Sequence, residues 1–388
     1  MQEQTHDGRG DGENLAFRFQ LKSDQKGLSF YQVQVAARSA PAGATAADSG
    51  EATLANNARV VVVNRDAGPY RILYVAGRPN WEFKFLNRAV QEDKEIDLVG
   101  LIRVAKREPK FDYRGRTGET SNPLYRGFGN QSAEEVQQYD QPVLIRLNTR
   151  DEIELRNGFP RVPEDLYGYQ AVIVDDLEAE FFAPDQALLL QKFVSERGGG
   201  FLMLGGTESF QEGKYQRTPI GDMLPVYLDQ PREMPAPSVD PRFELTREGW
   251  LQPWVRLRDN ESDEKARREA MPGVTVVNRV RGIKPGASVI ANLRDPVGAV
   301  IPALATQRFG RGRTMALMVG DVWHWGFQNA DTHADMDKTW RQLMRWLVAD
   351  VPKRVELAIE PQAEDANNAV LLQVRVRDEK YQPLDDAA

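Results

Sequence analysis

Two adjacent carboxylates, Asp175 and Asp176, close the apolar run Ala171-Val-Ile-Val-Asp-Asp176. At the carboxyl end of a buried parallel strand an acid can act as a general acid, a base or a ligand's hydrogen-bond acceptor. It can equally cap the turn that follows. A second run, Gly198-Gly-Gly-Phe-Leu-Met-Leu-Gly-Gly-Thr-Glu-Ser-Phe210, ends the same way and presents Gly205, Gly206, Thr207, Glu208 and Ser209. Glycines at a strand end leave backbone N–H groups open to an anion or a carboxylate. A third cluster, Asp321-Val-Trp-His-Trp325, sets His324 between two tryptophans, where it serves as a packed structural residue or as a base. Ser209 with His324 would form a serine-hydrolase pair, although the surrounding sequence is not Gly-x-Ser-x-Gly. Asp175, Glu208 or His324 acting as acid or base would need a partly buried cleft that perturbs their pKa values.

The chain has no cysteine, which removes disulfides, zinc-thiolate sites, iron–sulfur clusters and every cysteine nucleophile. Its 3 histidines are too few and too scattered for an evident metal site, so neither a metal nor a cofactor is expected. A net charge of -7 with 28% charged residues and no basic stripe argues against nucleic acid as a partner. No apolar run approaches the roughly 18 residues that span a bilayer, so no direct membrane insertion by this chain is expected.

The elements that would position these groups can be read in order. Residues 1–66 carry strand-like runs at Leu15–Leu21, Ser29–Ala36 and Ala58–Asn64. They read as the C-terminal part of an immunoglobulin-like β domain, because a full sandwich of that type needs about seven strands. A new α/β domain is expected over 68–350. Tyr70–Ala76 is a strand buried on both faces; Gly77-Arg-Pro-Asn80 is a turn; and Trp81–Gln91 is a helix with apolar residues at helical spacing. A strand over Ile96–Val104 is followed by a polar insertion, 105–161, which reads as a lid or a partner surface. The strand ending at Asp175, a helix over Pro184–Arg197 and the strand at Gly200–Gly206 complete a doubly wound, mostly parallel sheet. A charge run at Arg256–Glu269 reads as a solvated helix or loop. Later strands form a hairpin, and a helix over His333–Val348 has a regular apolar stripe. Residues 353–388 return to period-two strand character, as a second, truncated β-sandwich domain would begin.

Four stretches carry a resemblance: Tyr70–Leu86, Gly198–Phe210, Thr218-Pro-Ile-Gly-Asp-Met-Leu-Pro225 and Gly320-Asp-Val-Trp-His-Trp325. Together they resemble the class I glutamine amidotransferase-like superfamily, more closely a branch found in large bacterial surface proteins, over about residues 68–350. The resemblance implies a flavodoxin-like sheet with a nucleophile elbow after the Gly200–Gly206 strand. Active members place a cysteine there and activate it with a His and a Glu. This chain has Gly206-Thr207 at that point, so the usual glutamyl thioester is excluded. His324, with Asp321 or Glu208, would take the histidine site. Members of the branch sit in longer chains with a membrane segment, a von Willebrand factor A-like domain and immunoglobulin-like repeats. The resemblance therefore implies the extracytoplasmic face of a bacterial membrane, with neighbouring domains of the same chain as partners.

Two functions follow as expectations. The first is a non-catalytic module binding a small ligand or a protein at the old active-site edge through Gly205, Gly206, Thr207, Asp175, Arg78 and Trp81, with Trp81, Trp323 and Trp325 as walls. The second is a hydrolase or transferase that works there without cysteine.

Overall fold

The central strands of this protein's nine-stranded sheet are built from runs that alternate neither in polarity nor in exposure. A computed structural model describes residues 3–5, 17, 19, 27–35, 57–65, 69–106, 143–229, 241–361 and 370–384. Residues 69–388 form one unit, and its sheet strands are β1 (Tyr70–Ala76), β2 (Ile96–Ala105), β3 (Val143–Leu147), β4 (Ala171–Asp175), β5 (Gly200–Leu204), β6 (Arg242–Leu245), β7 (Ser288–Arg294), β8 (Val300–Phe309) and β9 (Gly312–Leu317). They lie in the order β3-β2-β1-β4-β5-β9-β8-β7-β6. The stretch β2-β1-β4-β5-β9 is parallel throughout, giving the flavodoxin-like order 2-1-3-4-5.

The expectation of a mostly parallel sheet needs correcting. Four pairings are parallel, and four, those of β2–β3, β9–β8, β8–β7 and β7–β6, are antiparallel. The late hairpin strands extend one side of the parallel core instead of forming a separate layer.

Both faces are covered, which is why the central strands are apolar at successive positions. Leu73, Val75, Val172, Val174, Phe201 and Met203 face helix α2 (Pro184–Ser195) through Leu190, Phe193 and Val194. The alternate residues Ile72, Tyr74, Ile173, Leu202 and Leu204 face helices α1 (Trp81–Gln91) and α4 (Ala330–Val348). Helix α4 starts three residues before the expected His333, because Asn329 accepts the Thr332 N–H at 2.9 Å and caps it there.

Two further expectations change. The expected insertion 105–161 is not wholly a lid: β3 is an antiparallel edge strand, and Leu155 and Phe159 are core residues. Residues 107–142 lie outside the described residues. The charge run contains helix α3 (Glu261–Glu269), which is not simply solvated, because Glu264 is fully buried and bonded to Arg267 and Arg268.

Residues 1–68 form the other unit, where Gly27–Gln34 pairs antiparallel with Ala58–Arg65. Most of the strand expected at 15–21 lies outside the described residues. Val355–Pro361 and Val370–Val376 form an antiparallel pair within the larger unit. Its following turn is fixed by Tyr381, whose hydroxyl accepts from Arg197 Nη2 at 3.0 Å with the guanidinium 4.0 Å over the ring.

Candidate functional site

Strands β1, β4 and β5 end at one edge of the sheet, and their following turns converge there. Gly77 in the turn after β1 donates its N–H to the Asp175 carbonyl at 3.0 Å, which ties the β1 and β4 ends together. Asn80 caps α1 by accepting the Phe83 N–H at 3.0 Å. Its amide also donates to Asp175 Oδ2, and the Tyr74 hydroxyl donates to the same oxygen. Asp175 is thus a buried carboxyl held by two neutral donors.

Burial pushes the Asp175 pKa up to about 7, helped by the charge of Asp176; the bonds from Tyr74 and Asn80 and the charge of Arg78 pull the other way. Glu82, in the first turn of α1, is buried as well, and its Oε1 has no hydrogen-bond partner. Burial first, then the charge of Asp175, raise its pKa to about 8. The Tyr74 hydroxyl is raised well above its ordinary value, mainly by burial.

Asp176 has a different task. It adopts the left-handed conformation, φ 43°. Its Oδ1 accepts the Glu208 N–H at 2.7 Å and faces Thr207 Oγ1 at 3.3 Å, while Oδ2 pairs with Arg78. Arg78 Nη2 also donates to Thr207 Oγ1 at 3.2 Å. Gly206 is required here because a Cβ would strike the Asp176 carboxylate, and at Gly205 it would strike the Val319 carbonyl. Neither glycine is left-handed; the sharply turned residue at this edge is Asp176. The expected elbow after β5 is therefore a turn made by close approach.

The expectation of open N–H groups at this turn is corrected at Gly206. The Gly206 N–H donates to Asn278 Oδ1 at 2.9 Å, and the Glu208 N–H is taken by Asp176. No helix begins at that turn, since residues 205–218 run through turns to a five-residue helix at Pro219–Met223.

Ser209 and His324 do not meet. Ser209 is buried, with an Oγ that has no hydrogen-bond partner. His324 Nδ1 lies 3.1 Å from the Asp321 carbonyl. A carbonyl only accepts, so Nδ1 carries the hydrogen. The Asp321 carboxylate meets Thr275 instead, at 3.2 Å. Glu208 is held by Lys106 at 2.7 Å, beside Arg103, whose guanidinium grips Glu178 at 2.6 and 2.7 Å. Burial would raise the Glu178 carboxyl, but those bonds more than offset it and hold it at about 2.

Outside this polar layer lie aromatic rings. Trp81 is 46% exposed and its ring centre is 5.6 Å from that of Trp323, which stacks on His324 at 3.6 Å and meets Phe327 at 5.8 Å. Trp325 does not join this wall; it turns away to Phe243, 5.4 Å off. The edge thus gathers Asp175, Asp176, Arg78, Trp81, Gly206, Thr207 and Glu208, with His324 on its rim.

Sequence reasoning missed Tyr74, Asn80, Glu82, Arg103, Glu178 and Asn278. Only Asn80 carried a local signal, an Asn directly before a helix start. Among the described residues no group of three or more His, Asp or Glu could hold a metal ion, and no helix is long and apolar enough to cross a membrane.

Solved structures to which the chain is similar include two cytoplasmic proteins, STM3548 of Salmonella typhimurium and STM1381 of Salmonella typhimurium LT2. Each is 14% identical; they cover 71% of this chain and 98% and 99% of their own, with TM-scores of 0.45 and 0.42. A catalytic mutant of the β-galactosidase Gan42B of G. stearothermophilus is 13% identical over 76% of this chain and 32% of its own, with a TM-score of 0.33. No curated protein matches the chain. The GATase1-like family model, described as "Putative glutamine amidotransferase", matches residues 146–349, just over half of the chain. That span holds β4, β5, β9 and the turns after Asp175 and Gly206, and the chain belongs to this glutamine amidotransferase-like family.

Proposed function

We propose that the domain is a non-catalytic glutamine amidotransferase-like module that binds a ligand or a protein partner at the carboxyl edge of its sheet. The observation that carries this reading is the division of labour at that edge. The polar groups bond to one another, while Trp81 and Phe327, 46% and 67% exposed, each meet Trp323, and Arg78, paired with Asp176, keeps a largely exposed side chain. Large aromatics and arginine are the residues that most often anchor interfaces. The reading extends to a multidomain bacterial protein in which β-sandwich modules flank this domain on the extracytoplasmic face of a membrane. What supports that extension is the family resemblance together with the β-hairpins on either side of the α/β region.

A second reading rests on one specific observation. Asp175 and Glu82 are neighbouring carboxyls whose pKa values are raised to about 7 and about 8, and such pairs supply acid–base chemistry in hydrolases and transferases. Ammonia release from glutamine by the purified chain tests the second reading for the substrate that the family description names. The binding-module reading expects none above the blank. Turnover that disappears in Asp175→Asn would overturn it in favour of catalysis. A photo-crosslinking residue at Thr207 supplies the positive arm: it captures a discrete partner in the native host, whereas the same residue at Val297, 84% exposed on a turn at the antiparallel side, does not. Equal capture at both positions would defeat the proposal.

A further inference from the structure

Away from the strand-end edge, two cavities share a wall. One, of about 620 Å3, is a groove beside the edge strand β6, lined by Trp250, Lys265 and Glu269 among others. Its volume falls within the roughly 300–1,000 Å3 typical of small-molecule sites. The other is a recess of about 70 Å3 between α3, α4 and the end of β9, walled by Trp254, Trp325, Trp340 and Leu317. Phe243 and Arg268 line both.

The charged side chains in the recess lining are those of Arg267 and Arg268, 13% and 10% exposed. They converge on one carboxylate oxygen, Glu264 Oε1, at 2.6 and 2.8 Å. The other oxygen of Glu264 accepts the N–H groups of Leu257 and Arg258 at 3.0 and 3.1 Å and Arg267 Nε at 3.2 Å, and Arg268 Nη2 donates to the Val255 carbonyl at 2.5 Å, which leaves Arg268 Nη1 to face a ligand. Two nearly buried cations that share one carboxylate leave a positive charge facing an apolar space, where an anion is worth more than in water. Burial lowers the Arg268 pKa to about 10, so the guanidinium remains charged at neutral pH. The groove outside is mixed in sign, with Glu244 held by Arg294 at 2.6 Å. The Trp340 indole N–H is also buried without an acceptor.

We propose that recess and groove form a second binding site, for a small monocarboxylate with a compact apolar group. The apolar group enters among the indole rings, and the carboxylate rests on Arg268 at the shared wall. The recess is about half the roughly 150 Å3 of an engineered cavity that admits benzene. It therefore takes a ring edge or a short branched chain, and the groove holds the remainder.

The test titrates the full chain with benzoate, followed by calorimetry and tryptophan fluorescence, with benzyl alcohol and benzylamine as neutral and cationic matches. Benzoate should saturate, benzyl alcohol should bind at least about tenfold more weakly, and benzylamine should not bind. Thr339→Phe, which fills the recess from a half-buried position and leaves both arginines in the sequence, should abolish benzoate binding. Arg268→Gln should weaken benzoate about tenfold or more and leave benzyl alcohol unchanged. Because Arg268 also anchors Glu264, Thr339→Phe decides the matter if the Arg268 variant fails to fold. Benzoate that does not saturate by about 10 mM, equal affinity for the alcohol, or binding that survives in Thr339→Phe would each overturn the site.

Discussion

Strand β1 has a charged cluster at each end, and the two are held in opposite states. At its start Arg71 donates through Nε to Asp97 at 3.0 Å and through both terminal nitrogens to Glu154 at 2.6 and 3.0 Å; the Tyr169 hydroxyl joins Glu154 at 2.6 Å. Burial alone would raise the Glu154 carboxyl, yet the bonds from Arg71 and Tyr169 hold it at about 2. At the other end Asp175, Asp176 and Glu82 crowd together, and the arginine beside them, Arg78, has a 58% exposed side chain that pairs with Asp176. Asp175 rises to about 7 and Glu82 to about 8. Burial raises each of these carboxyls, less so at the more exposed Glu154, and the buried guanidinium that reaches Glu154 is what holds it ionised. One end is a structural lock, and the other holds titratable protons at the carboxyl edge of the sheet.

The largest effect should come from breaking the lock. Arg71→Met leaves Glu154, with 15% side-chain exposure, without its cation. Removing one partner of a buried pair costs about 3–5 kcal/mol, and urea unfolding at pH 7 should show a loss of that order. The folded pKa of Glu154 is depressed, so its contribution is fully present above the unfolded value near 4 and is lost as pH falls through about 2. The penalty of Arg71→Met should shrink accordingly in acid. A loss under about 1 kcal/mol at pH 7 would mean that the lock is only a surface pair.

The carboxyl edge should respond in the opposite sense. Asp175 and Glu82 have folded pKa values above their unfolded ones near 4, so between about 4 and 8 the native state binds more protons and stability falls as pH rises. Each group contributes a slope of up to about 1.4 kcal/mol per pH unit. Glu82→Gln removes one of these slopes, and it replaces a buried acid that would otherwise be ionised above pH 8. The variant should be more stable than the parent by about 1–3 kcal/mol at high pH, with a flatter profile between pH 5 and 8. An unchanged slope in denaturation midpoints across that range would refute the assignment.

Why one end was legible and the other was not follows from how each is built. Asp175 and Asp176 announced themselves because they end a continuous apolar run, and Trp81 and Arg78 because they flank a helix start. Their roles did not show: which aspartate is buried depends on Tyr74, whose hydroxyl meets Asp175 only after β1 and β4 pair in register, Val75 beside Val174. Glu82 in a first helical turn reads as an acid favoured by the helix dipole, and nothing local reveals that the fold buries it beside Asp175. The glycines at 205 and 206 were legible as a turn, but the partners that crowd them, Asp176 and Asn278, lie 30 to 73 positions away in sequence. The lock at Arg71 escaped notice altogether, because Glu154 sits in what read as a polar insertion.

The smallest effect tests whether Arg78 makes the carboxyl edge a second lock. Its ion pair with Asp176 is exposed on the arginine side, and Asp176 keeps the Glu208 N–H without it. Arg78→Ala should therefore cost under about 1 kcal/mol in urea unfolding. It should still move the edge electrostatically, because the charge of Arg78 is one of the influences that lower Asp175. The Asp175 titration, followed by carboxyl carbon chemical shift, should shift upward from about 7 while the midpoint of unfolding at pH 6 barely changes. A stability loss matching that of Arg71→Met would erase the contrast between the two ends. A shifted titration with an unaltered fold would leave Arg78 as a residue that tunes the edge without holding it together.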